Sequence, residues 1–287
     1  MSGGYQTRPF CALGFSFAVN VVDPAFGRYL DNVFAPLATA GAPEHVYTVV
    51  RQEGPDQFLV AMDGDSLDTF PRPASTLSFL MWHINRQAIE QSTDLVLIHA
   101  GAAAHGDDAV VLPAPAGSGK TTLVTALVRA GMQYVTDEAV AIDAPTGMIV
   151  PYPKPLSIDA GSWPLFPDLA PEPDPAVRPY LSGQWHVPVG AIREGAVAGS
   201  SRPRLIVVPS FDPTTSTTLS ALSRGRAVGA LVECSFNVGA SGRERLELLA
   251  DVVRRCDCYE LVVHDLAEAT RGVERLLGVM APSVPAG

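Results

Sequence analysis

Nine consecutive residues, Ala114-Pro115-Ala116-Gly117-Ser118-Gly119-Lys120-Thr121-Thr122, carry the strongest chemical signal in the chain. They fit the phosphate-loop pattern, with Ala114 in place of its first glycine. Gly117 and Gly119 let successive backbone N–H groups curl around an anion, a conformation that a Cβ resists. Lys120 is placed to reach the β- and γ-phosphates of a nucleotide such as ATP, and the Thr121 hydroxyl to hold Mg²⁺. The helix that starts there turns its positive end toward the phosphates. In a chain with 25 glycines and two lysines, a Gly-Lys-Ser/Thr triplet arises by chance only about 0.02 times.

A site that transfers a phosphoryl group also needs carboxylates, one for the metal and one to orient or deprotonate the acceptor. The strand expected after the loop helix ends in Thr136-Asp137-Glu138. The carboxyl ends of strands are where open α/β sheets hold their sites. Lysine itself is scarce: Lys120 and Lys154 are the only two among 20 basic residues. A compact ammonium and a guanidinium are not equivalent at a phosphate, so both lysines become candidates.

The elements that must position these residues are legible as periodicity. Residues 95–104 are nearly continuously apolar, as a strand buried on both faces is. Gly106-Asp107-Asp108 suits a hairpin turn, and residues 109–112 return as a second strand. A helix over 120–130 follows the loop, with Gly131 as its stop, and strands come next over 133–136 and 139–142. Strands over 205–208 and 259–263, with helices over 243–254 and 266–279, complete the alternation. It predicts an α/β fold whose phosphate-loop core is a central sheet flanked by helices.

Upstream, the pattern gives a strand over 10–22, a helix over 24–40, strands over 46–52 and 57–62, and a helix over 73–91. The expected organisation is a small N-terminal α/β region over 1–92, which could dock a substrate, the loop-bearing domain over 93–281, and a loose tail over 282–287. Residues 151–188 are rich in proline and read as an irregular covering segment.

Composition narrows the function classes. The 287 residues are 47% hydrophobic and 17% charged, enough apolar material for a core. A net charge of −10 argues against nucleic acid or an anionic membrane as partner. No apolar run is long enough for a spanning helix, and the first residues lack the form of a secretory signal. Cys11, Cys234, Cys256 and Cys258 lack the spacing of a zinc site and read as reduced thiols of a cytoplasmic protein.

This constellation resembles the catalytic domain of the HPr kinase/phosphorylase family, bacterial serine kinases built on a phosphate loop. In that family a His lies on the strand fifteen residues before the loop, and His99 stands fifteen residues before Ala114. The family follows the loop helix with a glycine, a short strand and an Asp-Asp pair. Here Gly131 to Glu138 takes that place, with Glu138 for the second Asp. The resemblance covers residues 94–145 best, and the overall plan looks like the HPr-kinase-related proteins found beside peptide-modification genes. It implies transfer of the γ-phosphoryl group of ATP, with Mg²⁺, to a Ser or Thr hydroxyl of a peptide or protein. Asp137 would be the base, Glu138 a metal-side carboxylate with Thr121, and His99 a polar neighbour of the phosphates. A homo-oligomer is among the arrangements the resemblance raises. The same loop could serve a small-molecule kinase, or a nucleotide switch or ATPase that drives a partner.

Weaker candidates remain. Lys154 could contact a phosphate or the acceptor, and Trp185-His186 could line a pocket. Arg202 and Arg204 could supply a transition-state cation, and His105 with Asp107 and Asp108 suggests a metal pair. Phe236-Asn237 reads either as a helix cap or as a site edge.

Overall fold

The computed structural model describes residues 4–52, 57–171, 175, 177–181, 183–237 and 242–279. The chain is mixed α/β and packs as two compact units, one comprising Met1–Ser92 and Lys154–Ala191, the other Thr93–Pro153 and Ile192–Gly287. Residues 154–191, expected within the 93–281 domain, thus group with the N-terminal region. Aromatic packing accounts for it. Tyr180 stacks on Phe26 with centroids 3.8 Å apart and planes 7° apart, and its ring also meets Phe58. The expected tail over 282–287 lies outside the described residues.

The first unit begins with β1 (Tyr5–Gln6), β2 (Phe10–Ala12), β3 (Phe15–Val21), α1 (Pro24–Val33), β4 (His45–Arg51), β5 (Phe58–Met62), β6 (Asp65–Phe70) and α2 (Pro73–Gln91). Its sheet runs β1-β3-β4-β5-β6, with β2 on β3. The single strand expected over 10–22 is a hairpin, because Leu13 and Gly14 both take positive φ and reverse the chain. β6 was not expected: its residues are mostly exposed and acidic at Asp65 and Asp68, as suits the rim of a sheet.

The second unit opens with β7 (Leu95–His105), β8 (Asp108–Pro113), α3 (Lys120–Arg129), β9 (Gln133–Thr136), β10 (Ala139–Asp143) and β11 (Ile149–Val150). The chain then gives β12 (Leu156–Asp159) and β13 (Gln184–Val187), an antiparallel ribbon of the first unit. The short helix α4 (Val189–Ile192) follows, then β14 (Arg202–Phe211), β15 (Thr218–Ala221), α5 (Arg224–Glu233), α6 (Gly242–Arg255), β16 (Asp257–Val263) and α7 (Leu266–Leu276).

The second unit's sheet runs β11-β10-β7-β8-β14-β16-β15, with β9 also on β7. β8, β14 and β16 are mutually parallel, whereas β7 runs antiparallel to β8, β9 and β10. Alternation along β7 sorts its side chains. Val96, Ile98, Ala100, Ala102 and Ala104 join a core with Leu231 of α5 and Leu249, Val252 and Val253 of α6. The intervening residues, His99 and Gly101 among them, therefore face the side on which α3 lies with α7.

Candidate functional site

β8 and β9 run the same way, since each is antiparallel to the β7 strand between them. The loop 114–119 leaves the end of β8, and Asp137 leaves the end of β9 at that same edge. β7 passes between the two and contributes His99.

The acidic pair is aimed by a bulge in the pairing. β9 and β10 follow one another along one edge of β7, Thr136 opposite Ala102 and Ala139 opposite His99, with a register shift at Ala102/Ala103. The shift falls at Val135, between Tyr134 and Thr136, whereas Asp137 and Glu138 join β9 to β10 without a change of register; the bulge just before the acidic pair re-aims the chain there. The Thr136 hydroxyl oxygen accepts the N–H groups of Glu138 (3.2 Å) and Ala139 (3.3 Å), while the Glu138 carbonyl accepts from Ala100 N–H at 3.2 Å. Both backbone groups of Glu138 are therefore satisfied.

In the loop, Gly117 and Gly119 have φ of +77° and +86°, the left-handed region that favours glycine. Gly119 is the N-cap of α3, and no side chain caps that first turn. The Ser118 hydroxyl oxygen is buried without a hydrogen-bond partner, although buried polar atoms normally have one. The loop thus offers unclaimed donors.

Lys120 is only 5% exposed. Its Nζ donates to the carbonyls of Ala114 and Pro115, both at 2.8 Å, and to His99 Nε2 at 3.0 Å. An ammonium cannot accept, so Nε2 must, and the imidazole hydrogen sits on Nδ1. Nδ1 donates to the Glu138 carbonyl at 3.2 Å, with the Glu138 carboxylate 3.5 Å away. Burial, aided by the Lys120 charge, lowers the pKa of His99 below its ordinary value, and burial also lowers that of Lys120. The imidazole is neutral as a result.

Thr121 Oγ1 donates to Asp137 Oδ2 at 3.0 Å, and Tyr134 OH to Asp137 Oδ1 at 2.8 Å. Asp137 is 3% exposed. Burial, with the Asp137 charge beside it, pushes the Tyr134 phenol far up, so the phenol remains a donor. The residue paired with Thr121 is Asp137, whereas Glu138 was expected there. Glu138 faces His99 with 30% of its side chain exposed. Hydroxyl, ammonium, imidazole and two carboxylates converge, an arrangement able to bind polyphosphate, hold a hard cation and accept a proton.

Sequence reasoning missed two contributors. A Cβ on Gly101 would lie 2.8 Å from Val124 Cγ2 and 3.6 Å from Lys120 Cβ, so this glycine lets α3 seat closely on β7. A lone glycine within an apolar strand was the available signal. Tyr134, the anchor of Asp137, gave none. Of the two roles expected of Phe236 and Asn237, the helix cap is not what Asn237 provides, since its side chain binds the backbone of strand β7. The Asn237 side chain accepts from Leu97 N–H (3.1 Å) and donates to the Leu95 carbonyl (2.9 Å), and Phe236 meets the His99 ring edge-on at 5.7 Å.

Other candidates lie elsewhere. Arg202 pairs with Asp108 at 2.7 Å and Arg204 with Asp257 at 2.6 Å. Asp108 and Asp257 begin their strands, whereas the loop leaves the end of β8, so these exposed pairs sit at the opposite edge of the sheet. The hairpin tip of His105 is there too. The transition-state cation expected of Arg202 or Arg204 is therefore not in this cluster. Lys154 belongs to the first unit, where its Nζ donates to the Pro155 carbonyl (3.1 Å) and Ser157 Oγ (3.3 Å). Trp185 stacks on Trp163 at 4.8 Å, and His186 is buried in the same ribbon. Among the described residues no helix is long and apolar enough to cross a membrane. No known family model matches the sequence, and no curated protein is similar to it.

Proposed function

We propose that this chain is a phosphate-loop kinase of the HPr-kinase-like type. It transfers the γ-phosphoryl group of ATP to a Ser or Thr hydroxyl of a peptide or protein. The observation that carries the reading is the Thr121–Asp137 hydrogen bond, which ties the first helical turn after the glycine-rich loop to a carboxylate on a neighbouring strand. Hydroxyl plus carboxylate is the protein's share of a Mg²⁺ site in phosphate-loop enzymes, with phosphates and water supplying the remaining ligands. The hard oxygen donors fit that ion, which when bound neutralises charge on the β- and γ-phosphates.

The residues then divide the work. Lys120 exchanges its bonds to the Ala114 and Pro115 carbonyls for phosphate oxygens, and the loop N–H groups and Ser118 complete the cradle. Asp137 is held by Thr121 and Tyr134 and committed to the metal side, so Glu138, with 30% of its side chain exposed beside His99, is the better placed base. The acceptor oxygen bonds to the γ-phosphorus, the bond from that phosphorus to the β–γ bridging oxygen breaks, and the hydroxyl proton passes to Glu138. ADP leaves. His99 positions Lys120 on one side and Glu138 on the other.

Incubation with γ-³²P-ATP, Mg²⁺ and a peptide acceptor tests the reading. Stable label in peptide is the expected result. Label in a low-molecular-weight product favours a small-molecule kinase, and inorganic phosphate alone favours a switch or ATPase.

A further inference from the structure

Beside His99 stands an exposed aromatic ring that phosphate chemistry does not require. Residues 234–237 pair with β7 along the edge that β8 occupies further on: β8 covers Ala100–His105, and these four residues cover the stretch below it. They therefore continue the line of β8 past the point where the loop leaves it. His99 N–H donates to the Cys234 carbonyl at 2.7 Å, and Phe236 N–H to the Leu97 carbonyl at 2.9 Å. Ser235 Oγ reaches the Leu97 carbonyl at 3.2 Å, and Asn237 clamps Leu97 and Leu95. Arg245 also donates to the Asn237 carbonyl. Within this pinned segment Phe236 stays 43% exposed.

A pinned backbone that holds a phenyl ring partly in water, with one edge on His99 and the rest uncovered, suits a contact surface. The order of groups says what that contact is. Lys120, which marks the β- and γ-phosphates, lies over Gly101, His99 comes two residues along β7, and Phe236 sits beside Leu97, two residues further. A nucleoside extends away from the γ-phosphate, so the ring borders the acceptor. We infer that Phe236 forms an apolar acceptor subsite, selecting a hydroxyl-bearing residue flanked by an aliphatic or aromatic side chain. This rests on the kinase reading above.

The test uses the full chain and synthetic peptide pools carrying one Ser or Thr flanked by Leu or by Gln. The unaltered protein is expected to favour the Leu pool by about tenfold in kcat/KM, as one apolar contact allows. Phe236→Ala erases that preference through KM for the peptide, and Phe236→Leu restores most of it. All three proteins keep the same KM for ATP and the same thermal shift with Mg-ATP. A preference that survives in Phe236→Ala, or a change in KM for ATP instead, overturns the subsite while leaving the kinase reading intact. No label in either pool from a protein that binds ATP overturns the peptide-kinase reading and the subsite with it.

Discussion

Exchanging each carboxylate for its amide separates the two acidic roles. Asp137→Asn removes a negative charge that is 3% exposed and accepts from Thr121 and Tyr134. Losing charge-assisted character at two hydrogen bonds costs about 1 kcal/mol each. Relief of a buried carboxylate's desolvation offsets this by an amount of the same order. The nucleotide-free protein should then keep its melting temperature within about 5 °C, since roughly 1 kcal/mol moves Tm by about 2–4 °C at this size. Magnesium dependence is where this variant should fail. With one anionic ligand gone, the Mg²⁺ concentration for half-maximal transfer rises at least about tenfold. Glu138→Gln, changing a part-exposed group beside His99, should leave that midpoint unmoved and lower transfer by about 10²–10⁴, the range for a lost general base. The assay is steady-state ³²P transfer against Mg²⁺ concentration, with melting curves as control. An unchanged Mg²⁺ midpoint in Asp137→Asn with near-normal turnover in Glu138→Gln would falsify the assignment and return the base role to Asp137.

Three further outcomes are expected. Gly101→Ala forces Val124 of α3 to give way; it should cost about 1–3 kcal/mol in urea unfolding and weaken ATP binding, and wild-type affinity would show the seating to be irrelevant. His99 and His83 both have pKa values lowered chiefly by burial from 6.5, so the unfolded chain takes up protons first. Stability is then full above about pH 6.5 and falls as pH drops through the folded values; in His99→Gln the fall should be shallower, and an identical curve would contradict the buried neutral imidazole. Arg202→Ala breaks an exposed pair and should change stability by less than about 1 kcal/mol and transfer not at all.

Local signals were legible, whereas signals carried by distant packing were not. The loop and its helix are one contiguous run whose glycine and lysine spacing matches the phosphate-loop pattern, and the acids come next along the chain. Which acid meets Thr121 depends on the bulge at Val135 within β9, just before the acidic pair, and residue types do not encode that bulge. Tyr134 serves Asp137 from within a strand that reads as ordinary core. Residues 154–191 join the first unit through contacts such as Tyr180 on Phe26, invisible to any window of sequence. The β2–β3 hairpin escaped because Leu13 adopts φ 51°, a conformation usually left to Gly or Asn.

Calorimetric titration with ATP in the presence of Mg²⁺, comparing the unaltered chain with Lys120→Met, addresses the anion cradle itself. The ammonium at present satisfied by Ala114, Pro115 and His99 should transfer those bonds to phosphate. The unaltered chain should therefore bind, and the variant, still folded, should bind at least about a hundredfold more weakly. Equal heats and affinities in the two proteins, or no binding to either, would contradict it.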